Sequence, residues 1–123
     1  MQKVLFCDND ATIRIIAKNA IEGHWLGDVK VHLAANGTEA LKIATRELPD
    51  LIILDVIMPG LDGVQTLKKL REQGAKAPVV FVTAKEDVSE LNTFQHLNVS
   101  GILKKPFLPR NLLEECSKVL DKK

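Results

Sequence analysis

A chain of 123 residues, 46% hydrophobic and 27% charged with a net charge of +1, has the composition of one globular domain large enough to bury a core. Its 17 basic and 16 acidic residues are interspersed, which argues against nucleic acid or an anionic membrane as an electrostatic partner, and no apolar run approaches the roughly 20 residues of a bilayer span. Only Val4-Leu5-Phe6-Cys7 separates Lys3 from Asp8, which is no signal peptide. Cys7 and Cys116 both fall in apolar patterns, as small buried hydrophobes of a reducing compartment do, so the expected location is cytoplasmic.

Five apolar runs alternate with five helical patterns. Val4–Cys7 is the first run and ends at Asp8-Asn9-Asp10; Ile13, Ile16, Ala17, Ala20 and Ile21 then recur at helical spacing. Val29, Val31 and Leu33 alternate with polar residues, as in a half-exposed edge strand. Asn36-Gly37-Thr38-Glu39 reads as a cap and return for a second helix, with Ala40, Leu41, Ala44 and Leu48 inward. Leu51-Ile52-Ile53-Leu54 runs straight into Asp55, and a turn with Pro59, Gly60 and Gly63 follows. Such a run between breakers predicts a strand buried on both faces. Asp62 suits the cap of a third helix carrying Val64, Leu67 and Leu70 and stopping at Gly74.

Pro78–Thr83 predicts the fourth strand. Asp87-Val88-Ser89-Glu90 resembles a capping box for a fourth helix with Val88, Leu91, Phe94 and Leu97 inward. Gly101–Lys104 is the fifth strand, left by Lys105-Pro106-Phe107; Pro109 suits the first turn of the last helix, whose apolar stripe is Leu112, Leu113, Cys116, Val119 and Leu120. His24, His32 and His96 show no metal-ligand spacing and read as ordinary surface histidines, and Trp25 as a packing residue at a helix end.

Strict alternation of strand and helix implies parallel strands joined by right-handed crossovers. Five units in this length fit a flavodoxin-like, doubly wound five-stranded sheet, order 2-1-3-4-5 with five helices, in a single domain over residues 1–123. Asp8, Asp55, Thr83 and Lys105 each end a different strand, so the fold predicts their convergence on one sheet edge. Two carboxylates, a hydroxyl and an ammonium are the parts of a phosphoryl site: one carboxylate attacks, another helps hold a divalent cation, and the other two bind phosphoryl oxygens.

Asp8-Asn9 after the first strand, Asp55 with Met58-Pro59 and Asp62-Gly63, Thr83-Ala84, and Lys105-Pro106-Phe107 occur in one order and spacing. In these motifs the chain resembles the receiver domain of two-component response regulators, the CheY-like family, over essentially its whole length. The resemblance implies a phosphoprotein, not an enzyme acting on a separate substrate. Asp55 would accept a phosphoryl group from a sensor histidine kinase or a histidine phosphotransfer protein, and the new interaction surface would act on a downstream effector outside this sequence. It implies Mg²⁺ as cofactor, held by Asp8, Asn9, Asp55 and the backbone carbonyl of Ile57. Thr83 becomes the switch hydroxyl, and Lys105, with a cis bond to Pro106, the phosphoryl-binding lysine. A monomer and a phosphorylation-dependent dimer both stay open, with no direct nucleic-acid or membrane contact.

Three positions depart from that family's pattern. Asn9 stands where the second member of the acidic pair is expected; an amide oxygen ligates a hard cation without bringing charge. Asp10 could compensate or could cap the first helix. Ile102 replaces the aromatic ring three residues before the lysine, and a β-branched side chain is stiff. Leu108 stands where a Ser or Thr cap usually precedes the last helix, at a cost of about 1 kcal/mol. The first two departures, Asn9 and Ile102, motivate an alternative: a degenerate receiver serving as a phosphate-independent interaction module. An enzyme rival, the haloacid-dehalogenase-like phosphatases, matches Asp8-Asn9-Asp10-Ala11-Thr12 but requires its lysine before a late acidic pair, whereas Asp55 precedes both Thr83 and Lys105.

Overall fold

The computed structural model describes residues 1–84 and 98–120. In chain order the elements are β1 (Gln2–Cys7), α1 (Ala11–His24), β2 (Val29–Ala34), α2 (Gly37–Glu47), β3 (Leu51–Asp55), α3 (Gly63–Glu72), β4 (Val79–Ala84), β5 (Gly101–Lys105) and a last helix, numbered here α4 (Pro109–Leu120). The helix expected around Val88, Leu91, Phe94, His96 and Leu97, with its capping box at Asp87–Glu90, lies outside the described residues.

All strand pairs are parallel and the sheet order is β2-β1-β3-β4-β5, as the alternation predicts. The central strand β3 is buried throughout. Its alternate residues serve two cores. Ile52 and Leu54 join Leu5, Cys7, Val79 and Phe81 under Ala40 and Ala44 of α2 and Leu67 and Leu70 of α3. Leu51 and Ile53 join Val4, Phe6, Val80 and Val82 under Ala17 and Ile21 of α1 and Leu112, Cys116 and Val119 of α4. A side-chain period of two on a strand covered on both faces is why Leu51–Leu54 is apolar at every position.

The helix starts follow the cap chemistry. Asp10 Oδ1 accepts the Thr12 and Ile13 amides at 2.8 and 3.4 Å. Asn36 Oδ1 accepts the Glu39 amide at 2.9 Å, while Glu39 Oε1 returns to the Ala35 amide at 2.6 Å, one residue earlier than a capping box would. Asp62 and Gln65 form a reciprocal capping box. Before α4 the missing Ser or Thr is partly offset from inside the helix, because Asn111 Oδ1 accepts the Leu108 amide at 2.9 Å.

Three sequence expectations require correction. Ile16 is exposed, on the flank of the stripe that Ile13, Ala17, Ala20 and Ile21 define. Leu48 is exposed as well, because it caps α2 with φ 50° and the chain leaves the helix there. His32 is no ordinary surface histidine: it shares the β2 face of Ala34, which α2 covers, and its Nε2 is buried 3.6 Å from Glu47 Oε1. Trp25 caps α1, packs against the second core and donates from Nε1 to Gln2 Oε1 at 3.0 Å.

Candidate functional site

Parallel pairing brings the carboxyl ends of β1, β3, β4 and β5 side by side. Asp8 extends the β1–β2 ladder one step, its amide donating to the Ala34 carbonyl at 3.1 Å, and its side chain is fully buried. Asp8 Oδ1 accepts the Asp10 amide at 2.9 Å. Asp8 Oδ2 lies 2.8 Å from Lys105 Nζ as an ion pair but has no aligned hydrogen-bond donor among the described residues. Asp55 ends β3; its Oδ2 accepts from Lys105 Nζ at 2.9 Å and its Oδ1 accepts the Ile57 amide at 3.3 Å. Lys105, at the end of β5 and cis to Pro106, therefore bridges two buried carboxylates.

The charges in this cluster work on one another. Burial, reinforced by the nearby Asp8 carboxylate, raises the Asp55 carboxyl above the ordinary range, while the Lys105 hydrogen bond pulls it back. Burial also opposes the charge on Lys105, but the two carboxylates outweigh it and hold the ammonium above its usual value. The neighbouring Cys7 thiol is pushed up to about 12 by burial and by both aspartates, so it stays protonated and packs as a hydrophobe. Its Sγ donates to the Asn36 carbonyl at 3.3 Å and touches Met58 Sδ at 3.4 Å, tying the loops after β2 and β3 to the end of β1.

The remaining expected residues are also at this edge, in different settings. Thr83 is buried near the end of β4, one step beyond Val82, the register partner of Asp55. Asn9 and Ile57 are exposed. Asp10 is engaged as the α1 cap through Oδ1. No third acidic side chain completes a metal cluster among the described residues. Ile102 lies opposite Phe81 in register and packs, half-buried, against the α2–α3 core.

Two supporting residues escaped the sequence reading. Gly63 is needed for proximity: a Cβ there would sit 2.6 Å from the Asp55 carbonyl and 2.7 Å from Val56 Cα, so α3 starts directly against the end of β3. The Asp62-Gly63 turn signal pointed to the place but not to that contact. Arg14, in the first turns of α1, donates from Nη1 to the Asp8 carbonyl at 2.7 Å. An arginine between Ile13 and Ile15 gives a sequence reader no more than a partly covered helix surface.

The response regulator receiver domain model matches residues 4–117. The PhoP transcriptional regulatory protein for alkaline phosphatase synthesis from Bacillus subtilis is 34% identical over 97% of the chain and 48% of the relative. The chain thus spans about half the length of the curated relatives it matches. Among solved structures, chemotaxis protein CheY4 of Vibrio cholerae superposes with TM-score 0.88 at 30% identity, covering 97% of this chain and 98% of that one. The receiver domain of AraT, a response regulator from Geobacillus stearothermophilus, gives 0.85 at 31%, covering 98% and 94%. A match that begins inside β1 and runs through most of α4, joined to this sheet order, means that the chain belongs to the response regulator receiver domain family.

Proposed function

We propose that this receiver domain takes a phosphoryl group onto Asp55 from a phosphohistidine of a sensor histidine kinase or a histidine phosphotransfer protein. The observation that carries the reading is Lys105 Nζ seated between Asp8 Oδ2 and Asp55 Oδ2, at 2.8 and 2.9 Å. Two carboxylates buried side by side without an ion to share repel each other; held beside an ammonium, they make a site for attack on phosphorus. An Asp55 oxygen forms the new bond to phosphorus as the phosphorus–nitrogen bond of the donor breaks, its electron pair leaving on the imidazole. Lys105, released from part of its bond to Asp55, and the Thr83 hydroxyl then donate to phosphoryl oxygens. Hydrolysis of the resulting anhydride returns phosphate and resets the domain, so the chemistry acts on the protein itself.

The residues also fit a hard cation. Asp8 Oδ2 is a buried anionic oxygen with no aligned donor, and Asp55 adds a second carboxylate, an all-oxygen set of the kind Mg²⁺ takes. Asp8, Asp55 and the Ile57 carbonyl would hold Mg²⁺, with the Asn9 amide oxygen as a neutral addition. When bound, the ion neutralises charge on the phosphoryl oxygens.

Residues 1–123 act in this reading as one receiver unit of a two-component system, in the cytoplasm, with an effector reached through the altered surface. The exposure of Asn9 and the absence of a ring at Ile102 support a second reading, a phosphate-independent interaction module. Incubation with acetyl phosphate and Mg²⁺ separates them by mass spectrometry. The first reading expects one phosphoryl adduct, absent in Asp55→Asn. No adduct on the wild type leaves the second, and an adduct on Asp8 overturns both.

A further inference from the structure

We infer that Arg14 is a positioning residue for the phosphoryl site, setting the direction of the Asp8 carboxylate through the Asp8 main chain; this rests on the reading of Asp8 as a cation ligand. Asp8 has three acceptor atoms, and each has its own partner. Oδ1 is taken by the Asp10 amide at 2.9 Å, within the turn that caps α1. Oδ2 faces Lys105 Nζ at 2.8 Å. The main-chain carbonyl is the acceptor for Arg14 Nη1 at 2.7 Å, a charge-assisted distance.

That third bond matters because of where the turn stands. The Asp8 amide is still in the β1–β2 ladder, and Asp10 already caps the helix, so the passage from strand to helix is made over the two peptides from Asp8 to Asp10, the first of them joining Asp8 to Asn9. The Asp8 carbonyl is one end of that peptide and the Asn9 amide the other. A guanidinium on α1 holding the carbonyl fixes the peptide plane, and with it the direction in which Asp8 and Asn9 present their oxygens. Outer groups that orient a ligand in this way typically change metal affinity by about tenfold or more when removed. Asn9 brings no charge to the cation, so in this chain orientation has to supply what a second acidic residue would.

The positive charge of Arg14 pulls the other way, since a cation beside a metal site weakens it electrostatically. The two effects therefore predict opposite outcomes. Arg14→Met keeps helix propensity and side-chain length but removes both donor and charge. Calorimetric Mg²⁺ titration of the full chain should show binding weakened by about tenfold, with Arg14→Lys, which keeps a donor, recovering part of the loss. In the metal-free protein the ¹⁵N shift of the Asn9 amide, which shares its peptide with the Asp8 carbonyl, should move in Arg14→Met and stay put in the surface control Arg46→Met. A merely structural Arg14 would lower the unfolding temperature of Arg14→Met and leave affinity and the Asn9 shift alone, which overturns the inference. Tighter Mg²⁺ binding overturns it too, making Arg14 an opposing charge. Should Arg14→Met fail to fold, Arg14→Lys decides alone: intermediate affinity with a moved Asn9 shift supports positioning, and wild-type values for both overturn it. A wild type that neither binds Mg²⁺ nor accepts phosphate sinks the functional reading itself and this inference with it, whatever the Asn9 shift does.

Discussion

Lys105 and Asp55 are 50 residues apart in the chain and 2.9 Å apart in the fold. The bond joins the end of the central strand to the end of the edge strand β5, across β4, and Asp8 on β1 shares the same ammonium. One cation serving two buried anions leaves an excess of negative charge, and the site stays poised to accept more positive charge.

That imbalance makes Lys105→Met informative. Removing one partner of a buried ion pair costs about 3–5 kcal/mol, but Lys105 is 23% exposed, so about 2 kcal/mol is expected. Denaturant unfolding in a chelator should show this loss, and excess Mg²⁺, binding only the folded state, should recover part of it. A loss unaffected by Mg²⁺ would mean that the two carboxylates do not form a cation site.

Asn9→Asp tests the ligand set from the other side. A carboxylate in place of an exposed amide adds a full charge where hard cations are held largely by charge. Mg²⁺ affinity should rise by about tenfold, and the rate of acetyl phosphate labelling at limiting Mg²⁺ should rise with it. Unchanged affinity would place residue 9 outside the cation's reach.

Much of this was legible in the sequence for a physical reason. Leu51–Leu54 is apolar at every position because helices cover both faces of β3, and that pattern placed Asp55 at a strand end beside Asp8. What was not legible depends on neighbours. The covering of His32 is decided by where α2 ends, and the exposure of Leu48 by the chain's exit from that helix. The capping role of Asp10 was legible only as one of two uses of the same side chain, and the Thr12 amide on its Oδ1 shows that it does cap α1. Arg14 was silent because its partner is a main-chain carbonyl, which carries no sequence signature.

Gly63 and Gly23 should respond in opposite directions to the same substitution. At Gly63 a Cβ meets main-chain atoms at 2.6 and 2.7 Å, and backbone cannot swing aside. Gly63→Ala should cost about 1–3 kcal/mol and slow Asp55 phosphorylation by displacing the end of β3. Gly23 lies within α1 with nothing within 4 Å of its Cβ position, so Gly23→Ala should stabilise by about 0.5–1 kcal/mol and leave phosphorylation unchanged. Thermal and denaturant unfolding read the first pair of effects; equal losses in both variants would refute the steric account.

The pH dependence of stability should carry a contribution from His32. Its Nε2 is buried without a hydrogen-bond partner among the described residues. Burial is the main influence lowering its pKa, Lys30, Lys3 and Arg46 add to it, and Glu47, with Oε1 3.6 Å away, opposes it. Glu47 stays ionised as His32 titrates, its own carboxyl held low first by the Arg46 hydrogen bond. With the folded value below the ordinary 6.5, the unfolded chain takes the proton first. Stability therefore falls as pH drops through 6.5, and the fall from this residue ends once pH is below the folded value. Asp55, whose carboxyl is raised rather than lowered, works in the opposite direction and adds stability as pH falls through its own titration, so the contribution of His32 is read as a difference. Between about pH 7 and about pH 5 the unfolding midpoint of the wild type should drop further than that of His32→Gln. In Glu47→Gln the drop should continue to lower pH, because the one group that welcomes the imidazolium is gone. Parallel pH profiles for wild type and His32→Gln would show that protonation costs the fold nothing. A wild type that gains on His32→Gln as pH falls would show that Glu47 prevails over burial.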